Sequence, residues 1–244
     1  AKDIRQAFRE KFVDIEAGEV IGNSQTALAC VLYQGLVDRD EASGILETLE
    51  EEIKRYNYHL DCGILGTKYI MHALTEYERA DLAYAMANQK TYPSWGYWII
   101  QGATTLWEDW DGRGSRNHHM YGDISAWFYK ALAGINPDPQ KPGFKHIIIK
   151  PNPVGDLKWV KAWHKSMYGK IVSHWSLDKD QFNLKVNIPV NTTATVYLHA
   201  KDKASIKVNG QDIDKVNDVK IIDIIDGRVA ISIGSGEYDF ASAI

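Results

Sequence analysis

The sequence has few cysteines, no long hydrophobic run and no excess of positive charge. Its 244 residues contain two cysteines, Cys30 and Cys62, which lack C-x-x-C spacing, so buried free thiols are expected and a disulfide framework is excluded. No apolar run approaches the roughly 20 residues that span a bilayer. Lys plus Arg number 28 against 32 Asp plus Glu. This balance argues against a nucleic-acid partner or an anionic membrane partner.

The start of the chain also lacks the features of a targeting signal. No basic segment followed by an apolar one is present, and Ala1 stands inside a helical pattern where an initiating methionine would be expected. We therefore expect the chain to be the C-terminal piece of a longer protein. Its compartment is left open, with cytoplasmic and exported locations both compatible with the sequence.

Residues 1–135 have the periodicity of α-helices. Apolar residues recur at helical spacing near 4–15 and 42–56, and each set forms one apolar face on a charged segment. Asp38 followed by Glu41 has the form of a capping box before the second segment. Further helices are predicted near 25–35, 67–77, 78–89 and 124–134. About six helices joined by short turns predict an all-α domain.

The composition changes abruptly at residues 136–153, which hold five of the seven prolines. This segment is predicted to be a linker. Beyond it the residues alternate between apolar and polar, as in 183–188, which is typical of half-buried strands. Residues 154–244 are therefore predicted to form an antiparallel β-sandwich.

Residues 92–120 combine aromatic and polar residues without a helical or strand period. Indole rings stack on the C–H face of a pyranose, and carboxylates and imidazoles bind its hydroxyls, so this composition is typical of a sugar site. Glycoside hydrolysis needs one ionised and one protonated carboxyl group. Glu108, between Trp107 and Trp110, is the candidate for the ionised one. A solvated surface glutamate is the alternative for Glu108, and core packing is the alternative for Trp95.

His118 and His119 offer imidazoles beside this stretch. They are candidates for sugar contact or for capping the helix near residue 124. A metal site is not predicted, because adjacent histidines in an extended segment point to opposite faces.

Several segments in order make a more specific pattern. They are GNSQTA at 22–27, GILGT at 63–67, YPSWGY at 92–97, GATTLWE at 102–108, SRNH at 115–118 and PGFKH at 142–146. Together they resemble the C-terminal portion of bacterial α-L-rhamnosidases of glycoside hydrolase family 78. The likeness runs from about Ala1 to about Leu198.

The resemblance implies a partial (α/α)6 toroid followed by a C-terminal β-sandwich. It implies inverting hydrolysis of terminal α-L-rhamnosyl groups from glycosides or polysaccharides. No cofactor is predicted, because the sequence offers no cluster of ligands for a Ca2+ ion. In that family the position of Glu108 is the general base and the position of His118 contacts the sugar. Trp95 and Trp107 lie in matching motifs near the pocket.

The resemblance also implies a missing part. The family's general acid lies in an acidic motif upstream of the segments matched here, and no segment of this chain resembles that motif. We expect the chain to need the missing N-terminal half, on the same polypeptide or a partner chain, and to be inactive without it.

Other functions remain open from the sequence. Another glycosidase, or a toroid lyase using Tyr121 or His119 as its base and Arg113 or Arg116 for a uronate carboxylate, has compatible residues. A non-catalytic carbohydrate-binding fragment is a further alternative. The aromatic residues of the β-rich half that would serve it are interpreted as a packing surface against the helical half; they are Trp159, Trp163, Tyr168 and Trp175.

Overall fold

The helices of the first part of the chain largely follow the apolar faces seen in the sequence. The structure is a computed structural model that describes residues 1–225 and 227–244, and these residues divide into two units, 1–126 and 127–244. The helices are α1 (Lys2–Phe12), α2 (Gln25–Tyr33), α3 (Ala42–Arg55), α4 (Ile64–Glu76), α5 (Ala80–Ala87), α6 (Trp95–Ile100) and α7 (Asp123–Trp127). Within the described part of the chain, no helix is long and apolar enough to cross a membrane.

Serine side chains cap two of these helices. Ser24 accepts a hydrogen bond from the N–H of Ala27 at 3.3 Å at the start of α2, and Ser94 accepts one from Tyr97 at 2.9 Å at the start of α6. Before α3, the Glu41 carboxylate accepts from the N–H of Asp38 at 3.0 Å, which is one half of the predicted capping box.

Helices α1 and α6 differ from the sequence prediction. Helix α1 ends at Phe12, because Val13–Asp14 (β1) pairs with Glu19–Val20 (β2) in a short antiparallel hairpin. Helix α6 lies inside the stretch predicted to be irregular. Its six residues are too few to show a helical period, and the Ser94 cap defines its start.

Close approach of α2 and α4 depends on a glycine. A Cβ on Gly66 would lie 2.1 Å from the Thr26 hydroxyl oxygen, so only glycine fits at this contact. Gly66 and Thr26 belong to two of the segments that carry the family resemblance. The close contact between α2 and α4 therefore accounts for the presence of these two residues in the motifs.

The second unit contains two sheets. The strands are β3 (Ile135–Pro137), β4 (His146–Ile149), β5 (Trp159–Ser166), β6 (Gly169–Asp178), β7 (Gln181–Ile188), β8 (Thr193–His199), β9 (Lys207–Val208), β10 (Gln211–Asp212), β11 (Val219–Ile225), β12 (Arg228–Ile233) and β13 (Gly236–Ala243). Among the described residues, one sheet has the order β10-β9-β13-β7-β6-β5 and the other has β11-β12-β8-β4-β3. Neighbouring strands are antiparallel except β4 and β8, which run parallel.

The core of this unit lies between the inner faces of the two sheets. Alternate residues of β7 are buried, as the period of two predicts, and they pack with apolar residues of the other sheet such as Val196 and Ile231. The largest buried rings of this core are Trp175, Phe182 and Phe240. This unit is the β-sandwich that the sequence predicts.

The proline-rich segment 136–153 differs from a simple linker. It supplies β4 and the end of β3 to the five-stranded order just given. Pro137 lies on the edge strand β3, so its lack of an N–H removes no hydrogen bond between strands. Along the chain, the boundary between the two described units falls between residues 126 and 127.

Replacing Trp175 with phenylalanine should destabilise the second unit. Trp175 is 2% exposed, and its indole N–H donates to the Leu132 carbonyl at 2.7 Å. The variant leaves that buried carbonyl without this donor, so the free energy of unfolding should fall by about 1–3 kcal/mol. Urea unfolding followed by circular dichroism measures the change.

The matched control is Trp163→Phe at a residue that is 53% exposed. Its effect should stay within about 0.5 kcal/mol. Equal destabilisation by both variants would contradict the role given to the buried hydrogen bond.

Candidate active site

An aromatic cluster lies under the irregular segment that contains Glu108. The Trp98 ring lies 4.6 Å from the Trp110 ring and 5.8 Å from the Trp107 ring. Tyr121 lies 4.3 Å from Trp110, and Trp95 meets Trp110 edge to face at 5.5 Å. All five side chains are 9% exposed or less. The cluster therefore forms the core beneath this segment.

Three indole N–H groups of the cluster bind backbone carbonyls. Trp98 donates to the carbonyl of Trp110 at 2.9 Å, and Trp95 donates to that of Tyr121 at 3.2 Å. Trp110 donates to the carbonyl of Cys62 at 2.9 Å. An irregular segment has few backbone partners of its own, so these bonds fix its course.

Trp95 and Trp107 are thus placed within the cluster. The indole N–H of Trp95 is its only polar group and is already bonded. The ring of Trp107 lies against Trp98 on one side and 4.9 Å from the Arg116 guanidinium. Direct contact of either ring with a sugar stays a prediction.

Glu108 and His118 lie on two paired arms of the same loop. The N–H of Glu108 donates to the Ser115 carbonyl at 2.8 Å, and the N–H of His118 donates to the Leu106 carbonyl at 2.9 Å. The N–H of Ser115 donates in turn to Glu108 Oε2 at 2.9 Å. A backbone N–H therefore orients the carboxylate of Glu108, although the residue is exposed.

A second carboxylate lies beside Glu108. A Cβ on Gly114 would lie 3.0 Å from Glu108 Oε2 and 2.4 Å from Asp109 Oδ2. Both oxygens therefore approach the same point, and the missing side chain of Gly114 makes room for them. Asp109 also lines a neighbouring cleft of about 790 Å³.

This cleft is open and lined by polar and aromatic side chains. The members that matter here are Asp61, Tyr92, Asp109, Asp111, Arg113 and Tyr121. The hydrogen bond from the Arg113 guanidinium holds the pKa of Asp111 below its usual range. The two groups form an ion pair at 2.5 Å, so Asp111 is ill suited to serve as a proton donor.

Tyr121 is unsuited to act as a base. Its burial, with smaller contributions from Asp109, Cys62 and Tyr92, raises its pKa to about 12. The phenol therefore stays protonated at neutral pH. This weakens the lyase alternative, in which Tyr121 would abstract a proton.

His118 has an unused ring nitrogen. Its Nδ1 is buried and has no hydrogen-bond partner among the described residues, while its ring stacks on His119 with centroids 5.8 Å apart. Buried polar atoms are nearly always paired, so the unpaired Nδ1 of His118 is an exception among the described residues. Within the described ranges, no three His, Cys, Asp or Glu side chains form a group that could hold a metal ion.

Sequence reasoning missed Gln25, which supports the site from below. Its fully buried amide donates to the His59 carbonyl at 3.0 Å and accepts from the N–H of Asp61 at 2.9 Å. Gln25 thus stabilises the turn that contains Cys62, whose carbonyl accepts the hydrogen bond from the Trp110 indole N–H. The feature of the sequence that could have identified Gln25 is its polar amide side chain at the start of the otherwise apolar helix α2.

Family comparison places the chain among glycosidases with a helical catalytic domain. Residues 1–132 match the model of the bacterial alpha-L-rhamnosidase 6 hairpin glycosidase domain, and residues 134–212 match that of the bacterial alpha-L-rhamnosidase C-terminal domain. The chain belongs to the bacterial α-L-rhamnosidase family. The family resemblance seen in the sequence and the predicted order of helices followed by a β-sandwich are confirmed.

Individual relatives agree with this assignment. An alpha-L-rhamnosidase of Streptomyces avermitilis is 31% identical over 97% of this chain and 23% of its own length, and one of Formosa agariphila is 30% identical over 98% and 27%. The structure of alpha-L-rhamnosidase from Dictyoglumus thermophilum superposes with a TM-score of 0.90 at 37% identity, covering all of this chain and 28% of that one.

The Streptomyces avermitilis enzyme has also been solved in complex with L-rhamnose. Its TM-score is 0.89 at 30% identity, over 98% of this chain and 23% of that one. The chain thus spans about a quarter of the length of the relatives it matches.

Replacing Gly112 with alanine should disturb the aromatic cluster. Gly112 has φ +71°, and a Cβ there would lie 2.7 Å from two carbons of the buried Trp107 ring. Overpacking of this kind should lower the free energy of unfolding by about 1–3 kcal/mol beyond the backbone strain. Thermal unfolding of this variant and of its control, Gly102→Ala, measures the loss of stability.

The control is Gly102→Ala, since Gly102 has φ +79° but no heavy atom within 4 Å of its added Cβ. It carries the backbone strain without the collision. If the two variants lose equal stability, the contact with Trp107 is not what requires glycine.

Proposed function

We propose that this chain supplies the general base and part of the sugar pocket of an inverting α-L-rhamnosidase. The observation that carries the proposal is the Glu108 carboxylate, oriented by the N–H of Ser115 at 2.9 Å on a loop anchored by buried indoles. Membership of the family supports hydrolysis of rhamnosides as the reaction of the whole enzyme. The substrate is a glycoside or polysaccharide with terminal α-L-rhamnosyl groups.

Glu108 activates the attacking water in this mechanism. An inverting enzyme holds water between its base and the anomeric carbon, while a second carboxyl group protonates the leaving oxygen from the opposite side. Glu108 has the exposed carboxylate and the fixed orientation that the base requires. His118, whose backbone N–H pairs with the Leu106 carbonyl on the opposite arm of the loop, binds a sugar hydroxyl beside it.

The general acid comes from a part of the enzyme outside these 244 residues. The relatives are about four times as long as the matched region. The helical unit also leaves large apolar side chains open to solvent: Ile4 at 77%, Ile99 at 72%, Ile100 at 64% and Leu65 at 59%. Further helices of the toroid would cover such a surface. The helical unit is then part of the C-terminal half of the catalytic domain, and the sandwich domain comprises residues 154–244 together with β3 and β4.

Changing Glu108 to glutamine in the full-length enzyme tests the role of the base. The amide keeps an oxygen for the N–H of Ser115 but does not accept a proton from water. The value of kcat should fall by about 10²–10⁴-fold with little change in the Kd for L-rhamnose. Steady-state kinetics on an aryl rhamnoside and calorimetry measure the two quantities.

Asp109→Asn is the matched control, because Asp109 is the adjacent carboxylate and lines the cleft. It should change substrate binding more than kcat. A larger loss of kcat in Asp109→Asn than in Glu108→Gln would transfer the base role to Asp109.

The 244-residue chain alone should not release rhamnose, because a lone base cannot also protonate the leaving group. Adding or co-expressing the remaining part of the enzyme should restore turnover. Proton NMR of the restored reaction should then show the β-anomer of rhamnose forming first. Robust turnover by the isolated chain, or first release of the α-anomer, would refute this mechanism.

A further inference from the structure

The outer face of the sheet that contains β5, β6 and β7 has a shallow concavity of about 550 Å³. It lies in the second unit and shares no residue with the Glu108 loop. Its lining includes Trp159, Lys161, His174, Asn183, Lys185 and Asp239. An aromatic ring, neutral hydrogen-bonding groups and cations therefore come together on one surface.

Trp159 gives this surface a flat apolar platform. It is 61% exposed and stands at the start of the edge strand β5, opposite Ser176 of β6. The Lys161 ammonium lies 5.7 Å from its ring centroid. A large exposed indole at the edge of a concavity has the geometry to stack on a flat ligand.

The charged groups of the concavity are mainly positive. Lys161 has no carboxylate within ion-pair distance in the described ranges, and Lys185 lies 3.9 Å from the exposed Glu237. His174 lies between these lysines on the neighbouring strands. Its burial, aided by Lys161, Lys170 and Lys185, lowers its pKa. The imidazole is therefore neutral at physiological pH and able to donate and accept hydrogen bonds.

Neutral and acceptor groups complete the set. Asp239 pairs with Lys185 in the strand register, and Asn183 pairs with Ser176. Carboxylate, amide and hydroxyl side chains on two neighbouring rows of one sheet face are suited to a chain of sugar hydroxyls. A purely anionic peptide would need neither these groups nor the indole face.

We propose that this face of the sandwich is a non-catalytic binding site for an oligosaccharide that contains uronate residues. A pyranose ring stacks on Trp159, the uronate carboxylate binds Lys161 and Lys185, and hydroxyls bind Asn183 and Asp239. The site would hold an acidic polysaccharide while the catalytic pocket acts on its rhamnosyl ends. It does not depend on the role given to Glu108.

The test is calorimetry of the full 244-residue chain with hexagalacturonate, compared with maltohexaose and with a poly-glutamate of similar charge. Hexagalacturonate should bind more tightly than either, and its affinity should fall with added salt. Trp159→Ala should lower the affinity for hexagalacturonate by about tenfold or more. Lys161→Gln should weaken the binding of hexagalacturonate without affecting the binding of maltohexaose.

Trp163→Ala is the matched control, since Trp163 lies on the same strand and is 53% exposed but does not line the concavity. It should leave the affinity unchanged. The proposal is overturned if hexagalacturonate does not bind, if maltohexaose or poly-glutamate binds as tightly, or if both tryptophan variants weaken binding equally. Loss of activity in Glu108→Gln has no bearing on these outcomes.

Discussion

The candidate active site depends on three hydrogen bonds from buried indoles to backbone carbonyls. Trp95, Trp98 and Trp110 each donate their single N–H to the chain around them. These bonds replace the ladder that a helix or strand would provide, because the segment between α6 and α7 has little regular structure. The loop is exposed, yet its two arms keep Glu108 and His118 in fixed relation.

Glycine makes the close contacts of this arrangement possible. Gly112 lies against the face of Trp107, and Gly114 lets the carboxylates of Glu108 and Asp109 approach one point. Gly66 does the same for the contact of α4 with Thr26. These three glycines are therefore explained by close packing, and Gly112 also by its positive φ.

Periodicity predicted the elements whose burial it reflects. The apolar faces of α3 and the alternation of β7 are found where the sequence places them, since burial on one side imposes those spacings. Helix α6 was missed because six residues are shorter than two turns. The parallel pairing of β4 with β8 leaves no local signal, since it joins residues far apart in sequence.

The site was only partly predictable for the same reason. The motifs pointed to Glu108 and His118, but the contact of Gln25 with the turn before α4 and the cleft beside Asp109 depend on tertiary packing. The most direct test is a crystal structure of the full-length enzyme with a bound rhamnoside. We expect a water between Glu108 and the anomeric carbon, and an opposing carboxyl group about 6.5–9.5 Å away. A separation of about 5 Å, or Asp109 in the place of Glu108, would contradict the inverting mechanism.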